Sequence, residues 1–179
     1  MSCPSFDLPV PESCKAVVLS TAGHRFALPL SAIDRIIHRN LLQSDRNIDG
    51  LFYLDQRPLN GIDLSRLLPP PASDQSPPQM SISSEPPFFV IVQLEQTLSG
   101  IATDQPPVLM DLPLQEIHAV PAAYKPQLQG LATHMVSLES SSETFDMDSI
   151  FLLDLQRVAT LVESAAEVAS KEMPVKYAV

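Results

Sequence analysis

The sequence predicts a mainly β protein in which two small antiparallel barrels pack together and one helix follows. Short apolar runs alternate with polar turns along most of the 179 residues, a pattern typical of barrels and sandwiches. Residues 50–68 read as a hairpin that closes with Ile-Asp-Leu-Ser-Arg-Leu, and residues 153–158 repeat this close as Leu-Asp-Leu-Gln-Arg-Val. A Gly-Leu pair precedes each copy, at Gly50 and Gly130. The chain therefore uses one β construction twice, and closed barrels would leave few exposed strand edges.

The first half of the chain predicts two hairpins joined by a short segment of ambiguous structure. Residues 15–20 and 25–30 are apolar runs on either side of a Thr-Ala-Gly-His turn. Ser31 is a candidate helix N-cap, and three isoleucines follow it at helical spacing. Seven residues are too few for periodicity to decide between a helical turn and a bent strand. Residues 50–64 form the second hairpin, with its turn near Asp55 and Gln56.

The second half predicts a similar series of strands followed by the one substantial helix. Residues 88–94 form a continuous apolar run, typical of a strand buried on both faces. Residues 156–171 have apolar side chains at helical intervals and many alanines, so they predict a helix, which Pro174 ends. The other predicted strands are residues 98–104, 131–138 and 150–155, with residues 108–110 and 117–120 as either strands or a short crossover.

Proline-rich composition marks the predicted boundaries. The chain contains 18 prolines and 5 glycines, and proline is poorly tolerated within helices and central strands. Residues 69–87 are rich in proline and serine, which predicts a mobile connection between two folded halves. We also expect a flexible tail over residues 1–14, a folded domain over residues 15–161, and the helix end with a tail over residues 162–179.

Composition excludes several classes of function. The chain has 21 acidic and 11 basic residues, a formal charge of −10, which argues against binding to nucleic acid or to anionic membrane surfaces. No apolar run approaches the roughly 20 residues of a membrane-spanning helix, and the N-terminus lacks the pattern of a secretory signal. Cys3 and Cys14 form neither a redox pair nor a zinc cluster. We therefore expect a cytoplasmic protein without cofactor or metal.

Candidate catalytic residues are few. Asp63 and Asp154 occupy matching places in the two repeats, as the aspartates of a protease dyad would. That dyad needs Asp-Thr/Ser-Gly, whereas leucine follows both aspartates here, so we expect each carboxylate to cap a turn instead. No nucleophilic-serine or phosphate-loop motif occurs. The histidines, which have no metal-ligand spacing and are expected to be ordinary surface residues, are at positions 24, 38, 118 and 134.

An apolar cluster suggests a surface for partners. Its members, Ile33, Ile36, Ile37, Leu41 and Leu42, are more than one small barrel is expected to bury. Either they line a groove in which another protein's helix docks, or they are simply core.

Several short segments match, in order and spacing, one known family. They are Phe26-Ala-Leu-Pro-Leu30, Ile33-Asp-Arg-Ile36, Gly50-Leu-Phe-Tyr-Leu-Asp-Gln56, Asn60-Gly-Ile-Asp-Leu64, Gly100-Ile-Ala-Thr-Asp104, Gly130-Leu131 and Leu152-Leu-Asp-Leu155. Through them, residues 16–161 resemble the CheW-like coupling domain of bacterial chemosensory systems. The resemblance implies two five-stranded, SH3-like barrel subdomains with a hydrophobic core between them.

The same resemblance implies a non-enzymatic adaptor that bridges a methyl-accepting chemoreceptor and a CheA-type histidine kinase. Such a protein would work in the cytoplasm, within receptor arrays at the inner membrane. By resemblance, the residues that line the receptor groove are Ile33, Arg35, Ile36, Asp55 and Gln56. No motif marks the residues that would contact the kinase.

Two positions of that groove depart from the family pattern. The family's Val-x-Glu-Ile has Arg35 in place of Glu, and its Arg-Gly turn is Asp55-Gln56 here. We therefore expect Arg35 and Asp55 to form the same ion pair with reversed polarity. The departures leave two alternatives open, a degenerate copy that binds one partner, for instance in type IV pilus motility, and a small hydrolase that uses Asp63 and Asp154.

Overall fold

The computed structural model describes residues 12–44, 50–69, 87–94, 97–137 and 149–171, with side chains of the last helix described to residue 164. The strands are β1 Ser13–Thr21, β2 His24–Pro29, β3 Ile33–His38, β4 Gln43–Ser44, β5 Leu51–Leu54, β6 Arg57–Ile62, β7 Phe88–Leu94, β8 Thr97–Thr103, β9 Val108–Pro113, β10 Ile117–Ala119, β11 Ala132–Ser137 and β12 Ser149–Leu153. The helices are α1 Lys125–Leu128 and α2 Leu155–Lys171. The predicted strands and the predicted C-terminal helix are therefore confirmed, and both ambiguous pieces of the second half are strands.

The strands form two six-stranded sheets. The first sheet has the order β10-β11-β12-β2-β1-β9, and the second has the order β3-β7-β8-β6-β5-β4. The expected strand number was five for each subdomain. The strands beyond that number include the short edge strands β4 and β10, of two and three residues. Residues 117–120, which contain β10, were predicted as a strand or a crossover, whereas no sequence pattern indicated β4.

Each sheet takes strands from both sequence repeats. The hairpin β1–β2 joins β9–β12, whereas the hairpin β7–β8 joins β3–β6. The two halves of the sequence are therefore not the two sheets, because each half gives its first hairpin to the sheet that the other half completes. The predicted mobile connection, residues 69–87, lies almost entirely outside the described residues, and it joins the sequence repeats rather than the sheets.

One strand pair in each sheet is parallel, in contrast to the predicted antiparallel barrels. β12 runs parallel to β2, and β6 runs parallel to β8. Both pairs join a strand of one repeat to a strand of the other. Parallel neighbours need a long connection, and hairpin patterns in the sequence indicate only the antiparallel pairs.

Buried apolar residues form three clusters. One lies within the second sheet and includes Ile37, Leu59 and Ile91, and another lies within the first sheet and includes Val18 and Leu112. The third, the shared core, draws on both sheets and on α2. Its fully buried members are Leu19, Phe26, Leu28, Leu64, Val90, Val92, Ile101, Leu131 and Val158. The two sheets are thus packed around a common apolar interior, as the resemblance implied.

The segment after β2 is a bent strand and not a helical turn. A single 3-10 turn, Leu30–Ala32, precedes β3, and no side chain caps it, so the expectation of a Ser31 cap was wrong. The register of β3 against β7 shifts between Ile33 and Arg35, which marks a bulge. The isoleucines at helical spacing therefore lie in a strand and not in a helix. The bulge changes which residues of β3 face the core.

Left-handed backbone conformations occur in the hairpin turn of the first repeat and at the glycine of each Gly-Leu pair. Asp55 and Gln56 have φ angles of 50° and 65°, and Leu54 pairs with Arg57 across them. A two-residue loop with positive φ at both positions is a type I′ turn, which matches the twist of the flanking strands. Gly50 and Gly130, the glycines of the echoed Gly-Leu pairs, have φ angles of 80° and 79°. The echo is therefore a repeated backbone geometry that glycine adopts at little cost.

The two repeated aspartates cap the elements that follow them, as predicted. The Asp63 carboxylate accepts hydrogen bonds from the backbone N–H and the hydroxyl of Ser65, at 2.9 and 2.6 Å. The Asp154 carboxylate accepts from the backbone N–H groups of Gln156 and Arg157, at 3.0 and 3.2 Å. Asp154 therefore satisfies two of the unpaired donors at the start of α2.

Replacing Asp154 by alanine is expected to lower the free energy of unfolding by about 1 kcal/mol, because two N–H groups lose their acceptor. Asp154→Asn keeps an acceptor in place and should change stability by only a few tenths of that figure. Urea denaturation of the two variants measures the difference. An Asp154→Ala variant as stable as the unaltered chain would show that the carboxylate does not act as a cap.

Candidate partner-binding surface

The five predicted groove residues come from two parts of the second sheet. Ile33, Arg35 and Ile36 belong to the edge strand β3, and Asp55 and Gln56 form the turn between β5 and β6. A contact of 3.8 Å between Arg35 Nη1 and Asp55 Oδ2 brings the strand and the turn together. Within the described ranges, the structure gives no corresponding contact for Gln56, which is exposed on the turn.

Asp34, which the sequence reasoning missed, is the closer partner of Arg35. Its Oδ2 lies 2.7 Å from Arg35 Nε, against 3.8 Å for Asp55. The hydrogen bond and the charge of Asp34 raise the pKa of Arg35 above its ordinary value, with a smaller contribution from Asp55. The expected Arg35–Asp55 pair is thus the longer of two contacts. Asp34 was missed because adjacent strand residues normally face opposite sides, whereas the β3 bulge leaves Asp34 and Arg35 both exposed.

These ion pairs affect the charge of the protein surface rather than the stability of the fold. The side chains of Arg35 and Asp55 are 53% and 80% exposed, and solvent screens pairs of this kind almost completely. At this surface one guanidinium lies between two carboxylates. We therefore expect the three side chains to matter through the charges they present to another molecule.

The apolar cluster divides between core and surface. Ile37 and Leu42 are buried inside the second sheet, and Ile33 packs against the shared core. Ile36 and Leu41 are 42% and 61% exposed. Three of the five residues are therefore core or packed against it, whereas Ile36 and Leu41 are exposed, and a groove for another protein's helix stays a prediction.

A cation–π contact joins the segment after β3 to β5. Arg39 follows β3, and its guanidinium carbon lies 4.6 Å from the centre of the Phe52 ring on β5. The Arg39 backbone N–H also donates to the Pro87 carbonyl at 2.8 Å, directly before β7. Cation–π contacts typically contribute about 0.5–1 kcal/mol at exposed sites. No spacing in the sequence signals this pair, because its members belong to elements that meet only in the folded sheet.

The structure gives no support to a catalytic dyad. Asp63 and Asp154 each accept hydrogen bonds from the element that follows, and among the described residues no hydrogen bond joins them to each other. A dyad requires two carboxylates about 3 Å apart. Across the described ranges, no three His, Cys, Asp or Glu side chains are grouped so that they could hold a metal ion. In that same part of the chain, no helix is long and apolar enough to cross a membrane.

Comparison with known proteins agrees with the fold and with the sequence motifs. The family model for the CheW-like domain matches residues 15–163. No curated protein sequence matches the chain significantly. Among solved structures, the chain is similar to the scaffolding protein TtCheW from Thermoanaerobacter tengcongensis, with a TM-score of 0.60 and 14% sequence identity. The match covers 88% of this chain and 93% of that one. The family resemblance and the predicted fold class are therefore confirmed.

Proposed function

Because this chain belongs to the CheW-like domain family, we propose that it is a non-enzymatic adaptor that couples a methyl-accepting chemoreceptor to a CheA-type histidine kinase. The observation that carries the proposal is the family match over residues 15–163, nearly the whole folded part of the chain. The occupied carboxylates of Asp63 and Asp154 agree with an adaptor rather than a hydrolase. The adaptor acts in the cytoplasm, within receptor arrays at the inner membrane.

The receptor contacts the surface where β3 meets the β5–β6 turn, at the Arg35–Asp55 contact. On the strand, Ile36 supplies exposed apolar surface and Arg35 supplies a positive charge. On the turn, Asp55 supplies a negative charge. A helix docks on such a surface through apolar residues at helical spacing, while charges select the partner and its register. The kinase contacts a separate surface, so that both partners bind at once.

We expect the purified chain, a kinase of the CheA type and a receptor in membrane vesicles, all from the same cell, to sediment as one complex. The kinase should sediment with the vesicles only when the chain is present, because the adaptor bridges the two. Kinase activity in the sedimented complex is the second readout. If the chain sediments with the vesicles but does not bring the kinase, or binds the kinase but not the vesicles, it binds one partner only, as in the alternative. If the chain binds neither the vesicles nor the kinase, the proposal is contradicted.

Charge variants of the chain test the role of the Arg35–Asp55 pair in this experiment, and one variant serves as the control. Arg35→Glu places three carboxylates together and should weaken receptor binding, and combining it with Asp55→Arg should restore part of that binding, since Asp34 still faces the new glutamate. Glu163→Gln changes a charge on α2 and should bind like the unaltered chain. If the double variant binds no better than either single variant, the Arg35–Asp55 pairing has no role in docking.

A further inference from the structure

Two strands of the second sheet lie side by side although they do not pair. β3 and the β4–β5 pair stand at opposite ends of the strand order. Arg35 on β3 contacts Asp55, directly after β5, at 3.8 Å, and Arg39, directly after β3, lies 4.6 Å from the centre of the Phe52 ring on β5. Residue numbers rise along one strand while they fall along the other, so β3 and β5 run antiparallel. In the described part of the chain no strand pairing joins them, and we call the junction formed by these four residues the β3–β5 seam.

The Arg39–Phe52 contact is the better fixed of the two contacts across the seam. The side chains of Arg35 and Asp55 are more than half exposed, and solvent screens such a pair. Phe52 is half-buried and packs against the apolar cluster of the second sheet, with its ring 5.4 Å from the ring of Phe89. Arg39 is half-buried as well, and a cation–π contact strengthens as the cation loses water.

Gly61 provides the space in which the Phe52 ring lies. A Cβ atom at this position of β6 would lie 2.3 Å from Cε2 and 2.9 Å from Cδ2 of Phe52. Carbon atoms in favourable contact are roughly 3.5–4.0 Å apart, so even a methyl group at position 61 would displace the ring from the place where Arg39 meets it. The platform for the cation thus depends on the absence of a side chain on the neighbouring strand.

Arg39 also contacts the neighbours of both strands of the seam. Its backbone N–H donates to the Pro87 carbonyl at 2.8 Å, directly before β7, and its Nη2 donates to Ser44 Oγ on β4 at 3.3 Å. β7 pairs with β3, and β4 pairs with β5. One residue is therefore attached to both sides of the seam.

We infer that Arg39 is a positioning residue, which holds β3 against β5 through the Phe52 ring and so keeps Arg35 and Asp55 on one surface. The cation on a ring that Gly61 and the core hold in place carries the inference. The closure of the seam does not depend on the adaptor function. Its consequence for receptor docking rests on that proposed function, because the receptor is proposed to contact this surface.

A double-mutant cycle of Arg39→Gln and Phe52→Leu tests the inference on the full-length, 15N-labelled chain. The readout is amide hydrogen exchange at residues 35–38 of β3, which reports local opening. We expect both single variants to exchange faster there. The double variant should be about two- to fivefold slower than the product of the two single effects, because the shared cation–π contact is lost only once. Effects that simply multiply would show that the two side chains act independently, and would overturn the inference.

The edge strand of the first sheet, β9, is the internal reference of this measurement. Its amides should exchange relatively little faster than those of β3 in each variant, since the seam belongs to the second sheet. Acceleration of equal size in both strands would mean that the variants destabilise the whole fold, and a positioning role for Arg39 would then be contradicted. Arg57→Gln removes an exposed arginine from the same sheet and should exchange like the unaltered chain.

Two further variants separate the cation from the ring. Arg39→Lys keeps a cation above the ring and should retain most of the protection that Arg39→Gln loses. Gly61→Ala displaces the ring and should resemble Phe52→Leu. An Arg39→Lys variant that exchanges as fast as Arg39→Gln would contradict the role of the cation. A Gly61→Ala variant with normal protection of β3 would contradict the role of Gly61 and the Phe52 ring.

Sedimentation with receptor vesicles tests the consequence for docking. Arg39→Gln should bind the vesicles at least about threefold more weakly, because Arg35 and Asp55 no longer present their charges on one surface. If β3 loses protection while receptor binding is unchanged, Arg39 has no role in docking. If the unaltered chain does not bind the vesicles, the proposed receptor contact fails, whereas the exchange measurement still decides whether Arg39 positions β3.

Discussion

Dividing the chain between residues 77 and 78 is expected to give two fragments that are each unfolded alone but form one native complex when mixed. The reason is the exchange of hairpins between the sheets. In the first fragment, β1–β2 lacks its neighbours β9 and β12, and β3 and β6 lack β7 and β8. An isolated hairpin is marginally stable in water, and members of the shared core from each fragment would lose the apolar partners that the other supplies.

Far-ultraviolet circular dichroism and 15N NMR spectra of each fragment, alone and mixed, measure this. We expect poorly dispersed spectra for each fragment and a dispersed spectrum, close to that of the intact chain, for the mixture. The intact chain at the same concentration is the control. A dispersed spectrum from either fragment alone would mean that the sequence halves fold independently, which contradicts the strand exchange.

The strand pairs within each hairpin follow from local sequence, whereas the pairs between repeats do not. The hairpins at residues 15–30 and 50–64 were predictable because each is encoded by neighbouring residues, an apolar run, a turn and a second run. The aspartate caps were predictable for the same reason, since a carboxylate and the N–H groups it accepts from are two or three residues apart. Local rules of this kind determine which elements form.

The pairing between repeats was not predictable from such rules. Which strand lies beside β2 or β8 depends on contacts between residues far apart in the chain, and the parallel neighbours have no turn motif to signal them. The candidate surface shows the same limit. The resemblance placed Arg35 near Asp55, but the nearer Asp34 depends on a bulge that arises where β3 pairs with β7. Proximity of this kind follows from tertiary structure and not from spacing.

The exchange of strands also explains how the candidate partner-binding surface is supported. β3, which carries Arg35 and Ile36, pairs with β7 from the other repeat. The turn with Asp55 follows β5, whose hairpin partner β6 pairs with β8, again from the other repeat. Both sides of the Arg35–Asp55 contact therefore depend on the second half of the chain. We expect the mixed fragments to regain the proposed receptor binding together with their native spectrum.

Replacing Phe26 by alanine is expected to lower the free energy of unfolding by about 3–5 kcal/mol, a large part of the total stability of a typical domain. Phe26 is fully buried in the shared core, where β2 lies between β1 and β12. Its ring lies 6.2 Å from the ring of Phe151, its partner across the parallel pair. Removing the ring leaves a cavity among strands of both repeats. Urea denaturation, followed by circular dichroism, measures the loss.

Leu41→Ala is the matched control, because this apolar side chain is 61% exposed and its removal should change stability by no more than about 0.5 kcal/mol. The number of transitions is as informative as their midpoint. Since Phe26 belongs to the core that both sheets share, Phe26→Ala should shift one cooperative transition, seen equally by probes in the first and second sheets. A loss confined to probes of the first sheet would mean that the sheets unfold separately, and the shared core would then not be what holds them together.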